Sequence, residues 1–276
     1  MIVFVEDSAQ LLKLQRNYIF DNDHLIFWYS GRKITNIQVH KNGHLTNARI
    51  YHLVTLIWFI YNADEIVTEY ANLIPRLSAI IFRKRLVSVI FGILTHANFR
   101  KLKFIPNKIQ PLTADKYVIF GKYNPTRYLR DYLSASATVL LKDRSDLPDF
   151  RNKEERDYIL YIGQAFEKDR LQFYDDWEHK IVSKLDKARV KQIYCRHPRS
   201  LKRYKYKQEI NGYSECLQFI EQHGRPKLAL SISSSLIYEL KEMGVNASTL
   251  ISSESTHLMF TTEIDPDTDL IKPYVS

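Results

Sequence analysis

The sequence predicts an α/β protein built from two Rossmann-like halves with parallel sheets facing a central cleft. Three observations carry that prediction. Short apolar runs alternate with longer amphipathic segments, most regularly after residue 156. Alternation of that kind implies parallel sheets covered on both faces. The stretch Asp143–Arg156 is charged, contains Pro148 and lacks an apolar period, so it reads as a linker. At 276 residues the chain accommodates two modest domains. The expected division is 1–142, a linker at 143–156, and 157–276.

In the first half, Met1–Val5 reads as a strand and Ser8–Phe20 as a helix capped by Ser8. His24–Tyr29 is a second apolar strand. Ala48–Tyr61 and residues 74–94 read as apolar helices. Lys101–Ile105 and Lys116–Phe120 are expected strands. Pro125–Leu133 is expected to be a short helix with proline near its first turn, and Ala137–Leu141 a strand.

The second half alternates more cleanly. Tyr158–Ile162 is a strand. Tyr174–Ala188 is a helix with Trp177, Ile181 and Leu185 spaced by four on one face. Lys191–Cys195 is a strand, and Tyr213–His223 a helix that stops at Gly224. Lys227–Ser231 is a strand, Ser234–Met243 a helix ending before Gly244, and Ala247–Ser252 a strand.

Composition narrows the function classes. The net charge is +9 and the pI about 9.3, a balance that favours polyanionic partners such as nucleotides, nucleic acid or an anionic membrane. Two cysteines, Cys195 and Cys216, form neither a disulfide framework nor a zinc site alone. A reducing, cytoplasmic compartment is expected. Met1-Ile-Val-Phe-Val5 enters a strand without a basic leader, so no signal peptide is expected. No apolar run reaches the roughly 18 residues of a spanning helix. The apolar segments 77–82 and 86–94 flank Arg83-Lys84-Arg85, a pattern that fits either an interfacial membrane contact or a buried pair with a basic turn.

Three strand ends in the second half carry polar turns. His197-Pro198-Arg199 follows Lys191–Cys195, Gly163-Gln164 follows Tyr158–Ile162, and Ser233-Ser234-Ser235 follows Lys227–Ser231. In open α/β sheets, ligands bind outside the carboxyl ends of strands. Pro198 fixes the backbone beside a titratable ring, and Arg199 offers a fork for phosphate. The serines open a helix, where one hydroxyl satisfies the cap and others remain for an anion. Gln164 reads an amide or hydroxyl, and Glu167 or Asp169 serves as a general base given a hydroxyl in reach.

Those segments, "YIGQAFEKD", "IYCRHPRS" and "LALSISSSLIYELKEMG", resemble in order and spacing the bacterial sialyltransferases of glycosyltransferase family 52 and their polysialyltransferase relatives. The opening "MIVFVEDSAQLLKLQRNYIF" and the segment "DKYVIFGKYNPTRYLRDYLSAS" are similar to that family as well. The resemblance implies a GT-B fold, with an acceptor domain first and a CMP-sugar domain second. It implies that His197 acts on the leaving phosphate, that Arg199 contacts phosphate, and that Ser233 and Ser234 hold CMP. The family's acidic base precedes a glycine. Here the stretch reads Glu167-Lys-Asp-Arg170, without that glycine. Asp169 is the first candidate, Glu167 the second, and Asp175 and Asp176 follow.

The implied reaction is inverting transfer of sialic acid from CMP-sialic acid to a hydroxyl of lipooligosaccharide or capsule. It needs no cofactor and no metal, since histidine, arginine and helix N–H groups meet the leaving phosphate. The implied location is the bacterial cytoplasm, peripheral on the inner face of the cytoplasmic membrane. Alternatives are a transferase for another CMP-activated sugar (Kdo, pseudaminic or legionaminic acid) and a non-catalytic polyanion-binding protein. The run Lys202–Lys207 interleaves bases with tyrosines and suits a nucleotide flap, single-stranded nucleic acid or an anionic surface. Several motifs are missing: there is no Gly-x-Ser-x-Gly elbow, no Gly-x-Gly-x-x-Gly and no P-loop. Asp265–Asp269 lacks the glycine and glutamate of a calcium loop. His40 and His44 flank an Asn42-Gly43 turn rather than share a helix face.

Overall fold

The computed structural model describes residues 1–18, 23–30, 33–41, 44–47, 53–69, 73–92, 114–127, 137–165, 172–198, 200, 208–256 and 264–274. Two compact units emerge. The first is Met1–Lys122 with Thr126–Asp146, and the second is Tyr123–Pro125 with Leu147–Ser276. Both are α/β with mainly parallel sheets, the domain content of a GT-B-like fold.

The first unit contains β1 (Ile2–Val5), α1 (Ser8–Asn17), β2 (His24–Ser30), β3 (Lys33–Lys41), β4 (His44–Asn47), α2 (Leu53–Asn62), β5 (Glu65–Thr68), α3 (Leu73–Ile81), β6 (Arg85–Ile90), β7 (Lys116–Phe120) and β8 (Thr138–Lys142). Its sheet runs β4-β3-β2-β1-β5-β6-β7-β8, antiparallel only at β2-β3-β4. β1 is buried throughout because it lies between two cores. Ile2 and Phe4 join the α2–α3 side, where Phe4 stacks on Phe27 at 4.9 Å, while Val3 and Val5 join Leu11 and Leu14 of α1.

Several expectations are corrected here. α1 is capped by Asp7, not Ser8: its carboxylate accepts from Gln10 N–H at 2.8 Å, and Gln10 Oε1 accepts from Glu6 N–H at 2.8 Å. The helix expected over 74–94 is α3, a turn and β6. Arg83 adopts a positive φ of 52°, which ends the helix, and the β-branched run around Val87 and Val89 then extends into the sheet. β3, β4 and β5 were not expected. β3 and β4 are polar and largely exposed, so no apolar alternation marks them. Lys41 pairs with His44, and the Asn42-Gly43 turn signal lies outside the described residues. Residues 101–105, and the Pro125–Leu133 helix beyond residue 127, lie outside the described residues.

The second unit contains β9 (Glu155–Ile162), α4 (Gln172–Leu185), β10 (Lys191–Arg196), β11 (Gln208–Asn211), α5 (Gly212–His223), β12 (Arg225–Ser231), α6 (Ser235–Glu242) and β13 (Ala247–Thr249), then a 3-10 helix at Asp269–Tyr274. All five strands are parallel in the order β11-β10-β9-β12-β13. This is the Rossmann order, with its switch point between β9 and β12. Core residues cover both faces. Tyr158, Leu160 and Ile162 meet α5 and α6 on one side, and Ile159 and Tyr161 meet α4 on the other. Trp177, Ile181 and Leu185 face that second core, as their spacing predicts.

Two boundaries differ from the sequence reading. β9 begins at Glu155, where Glu155 pairs with Arg225. Phe150 is buried in the second unit's core, and its N–H donates to Met243 O at 2.8 Å. Residues 147–156 therefore belong to the second unit, while Ser145 N–H donates to Asn17 Oδ1 of the first at 3.2 Å. A charged stretch reads as a linker only when its few apolar residues are not core, and Phe150 is core.

Candidate functional site

Three polar turns leave one edge of one parallel sheet. β9 is central, with β10 and β12 hydrogen-bonded on either side, so Gly163-Gln164, His197-Pro198 and Ser233-Ser234-Ser235 all begin at neighbouring carboxyl ends. Gln164 bridges the switch point. Its Oε1 accepts from Ser233 N–H at 2.9 Å, and its Nε2 lies 3.4 Å from Ser233 Oγ.

The serines divide the work. Ser233 is buried and tied to Gln164. Ser234 is the N-cap of α6: its hydroxyl accepts from Leu236 N–H at 3.4 Å, and its own N–H donates to Ser231 Oγ at 3.2 Å. Ser235 opens the helix and is exposed. Ser231, the last residue of β12, is a support that the sequence reading did not single out.

Gly163 is required by packing. Its N–H donates to Cys195 O at 2.9 Å, and an added Cβ would lie 2.3 Å from Tyr194 Oη. Behind the turn sits Glu178, whose side chain is 0% exposed. Its Oε1 accepts from Gln164 N–H at 2.9 Å and lies 3.5 Å from Tyr161 Oη. Sequence reasoning missed Glu178, although a signal existed. Tyr174, Glu178, Ile181 and Leu185 share one helical stripe, and a carboxylate on an apolar stripe needs a buried partner.

The His197 turn is clamped from both sides. Ser200 N–H donates to His197 O at 2.9 Å. Arg196 donates through Nε and Nη2 to Asn211 Oδ1 at 2.9 and 2.7 Å, and through Nη1 to Ser200 O at 3.0 Å. Asn211 N–H donates in turn to Glu215 Oε2 at 2.7 Å. Gly212, with φ +71°, lies so close to Pro198 that a Cβ would meet its Cγ at 2.9 Å. His197 is half-buried and Pro198 exposed. Arg196 and Gly212 were not singled out, because their roles arise from contacts far along the chain. Arg199, Glu167 and Asp169 lie outside the described residues, as does Lys202–Lys207. Asp175 and Asp176 lie on the first turns of α4.

Cys195 and Cys216 are both buried beneath this turn. A hydrogen bond with the Cys195 side chain, then burial, push the Cys216 thiol well above the usual range. Such a thiol is not a nucleophile at neutral pH.

The first unit holds one further notable carboxyl. Glu69 follows β5, whose Thr68 pairs with Phe4 of β1, and it is only 6% exposed. Burial raises its pKa, with Asp7 and Glu6 adding to the shift and Lys13 and Arg144 opposing it. Lys13 and Arg144 also lie over the Phe91 ring just past β6, at 5.9 and 5.3 Å. This cluster was not expected; an acid directly after the apolar strand Ile66-Val-Thr68 was its one trace in the sequence.

The site thus belongs to an α/β protein with two Rossmann-like units and a polar carboxyl edge at the switch point of the second. No family model matches the chain, and no curated protein matches it. Among solved structures, a match at 13% identity and TM-score 0.44 covers 94% of this chain and 73% of the other. It is the crystal structure of Arabidopsis thaliana UGT89C1 complexed with quercetin.

Proposed function

We propose that the protein is an inverting glycosyltransferase of GT-B type. It moves sialic acid from CMP-sialic acid to a hydroxyl of a bacterial surface glycan, lipooligosaccharide or capsule. The observation that carries this reading is the convergence of Gln164, His197 and Ser233-Ser234 on one edge of the second unit's sheet, with Gln164 spanning the switch point. Nucleotides bind at such a crevice in open α/β sheets. The family resemblance of the same three segments supplies the donor class.

In this mechanism the second unit holds CMP. Ser234 accepts from Leu236 N–H, so its O–H proton can donate to an anionic oxygen. His197, on a turn held by Arg196 and Gly212, meets the departing phosphate oxygen and gives it a proton as the glycosidic C–O bond breaks. Arg199 pairs with the same phosphate. A carboxylate, Asp169 first and Glu167 second, takes the proton of the attacking hydroxyl. These groups, rather than a metal, neutralise the leaving group. The acceptor binds the first unit, and the enzyme works at the inner face of the cytoplasmic membrane.

The test is CMP release from CMP-sialic acid with a mixed glycan acceptor, together with calorimetric CMP binding, for wild type and His197→Ala. The expected result is release that falls about a hundredfold or more in the variant, as for loss of a general acid, while CMP still binds. CMP binding without release moves the donor to Kdo or pseudaminic or legionaminic acid. Absence of both release and CMP binding, with salt-sensitive binding to long polyanions, overturns the reading in favour of a binding protein.

A further inference from the structure

α2 and α3 are apolar on their outward faces as well as on their buried ones. In α2, Phe59 packs into the sheet core, while Val54, Ile57, Trp58 and Tyr61 are 79, 58, 59 and 80% exposed. Their spacing of i, i+3, i+4, i+7 makes one stripe. α3 repeats the pattern. Ala79 is core, while Leu73, Leu77, Ile80 and Ile81 stand outward at i, i+4, i+7, i+8. Both helices pack on the same face of the first unit's sheet. Lys84 Nζ donates to Tyr61 O at 2.8 Å, which ties the turn after α3 to the end of α2 and brings the two stripes together.

Neither stripe carries a charge. α2 has no charged residue, and Arg76, the one charge in α3, is buried. A helix facing water is ordinarily polar on that side. The charges gather instead at the ends of these helices, where Arg83 and Arg85 are exposed and Lys84 half-buried. Glu65 pairs with Arg85 at 3.6 Å, and two further acids lie nearby: Asp64, whose carbonyl accepts from Arg85 N–H at 3.3 Å, and Asp115, whose carboxylate accepts from Leu86 N–H at 2.8 Å. The chain as a whole is +9. A second copy would bring the same positive excess against this face, whereas anionic headgroups complement it. Tryptophan and tyrosine suit the headgroup boundary, with the basic side chains reaching outward past them.

We propose that the α2–α3 face is a membrane-docking surface, lying in the headgroup region of an anionic bilayer with Trp58, Tyr61 and Ile81 inserted. Among the described residues no helix is long and apolar enough to cross a membrane, so the contact is interfacial. The contact does not involve all of 77–94, because Leu86–Phe91 is buried in the sheet. The proposal stands on the first unit alone and holds whichever donor the second unit takes.

The experiment is sedimentation of the full chain with phosphatidylcholine vesicles, with and without phosphatidylglycerol, alongside tryptophan emission. Binding is expected to the anionic vesicles, with a blue shift of emission that Trp58→Phe removes. Trp28 and Trp177, the other two tryptophans, leave that shift unaffected. Ile57→Ser/Trp58→Ser/Tyr61→Ser is expected to lower vesicle affinity about tenfold or more, consistent with lost interfacial apolar area. Ile81→Ser, at the exposed end of α3, should lower it less, and Arg83→Glu should abolish the preference for anionic lipid. Melting curves of each variant show that it is folded. Unchanged sedimentation of the triple and Ile81 variants would overturn the proposal. So would binding without the Trp58 shift, or a wild-type dimer that the triple variant splits without any vesicle binding.

Discussion

Glu69 is a carboxyl that the first unit keeps out of water at a cost. Burial raises its pKa, so the folded chain binds the proton more tightly than the unfolded chain does. By linkage, its contribution to stability is fully present below the unfolded value of about 4.3 and is lost as pH rises through the folded value. Glu69→Gln mimics the protonated form at every pH. The variant is therefore expected to melt at a higher temperature than wild type at neutral pH, with the gap closing in acid. Equal melting temperatures at pH 7 would mean that the carboxylate is solvated or compensated. Among single residues, those read as site candidates from sequence stood out because a polar type followed an apolar strand: Gln164, His197 and Ser233. Arg196 stayed hidden because it acts through Asn211, distant in sequence, while Glu178 and Glu69 left only a carboxyl on an apolar helical stripe and an acid directly after an apolar strand.

At the scale of elements, the start of α5 positions the turn after β10. Gly212 has φ +71° and touches Pro198, and the Cys195 thiol donates to its carbonyl at 3.5 Å. Two demands meet at that residue: a left-handed backbone and no Cβ. Gly212→Ala violates both, and the left-handed strain alone costs about 1–2 kcal/mol. Gly212→Asn relieves part of the strain, since asparagine visits that region, but still presses on Pro198. The expected outcome is that Asn melts closer to wild type than Ala does, while both release CMP from the donor several-fold more slowly because His197 shifts with Pro198. Full recovery of CMP release in Asn would show that the proline contact does not govern the site. Element type was legible where burial is two-sided: β1, β2, β7, β9, β10 and β12 are apolar runs that only a covered parallel sheet uses. It was not legible for β3 and β4, whose exposed polar faces carry no period. Nor was it legible at 74–94, where an apolar helix and an apolar strand adjoin and only the short turn Phe82-Arg83-Lys84 divides them.

At the scale of the molecule, the division near residue 146 separates two sheets with separate cores. The sequence anticipated two halves because the alternation restarts after a charged stretch, but it placed 147–156 outside the second core. Each core is closed on both faces by its own helices, so each unit has the means to unfold cooperatively by itself. The polar edge that the proposal assigns to CMP lies wholly in the second unit, on β9, β10 and β12. A ligand stabilises only the unit whose native state it binds, by about 2.7 kcal/mol at a hundredfold excess over Kd. Calorimetric unfolding is therefore expected to resolve two transitions. CMP should raise one and leave the other in place, and His197→Ala should keep that selectivity, since the histidine meets the leaving group rather than the base or ribose. Glu69→Gln, by contrast, should move only the transition that CMP does not. If CMP raises both transitions together, the two units unfold as one and the nucleotide's stabilisation crosses between them. If CMP raises the same transition as Glu69→Gln, the nucleotide binds the first unit, and the assignment of His197, Arg199 and Ser233-Ser234 to the donor fails.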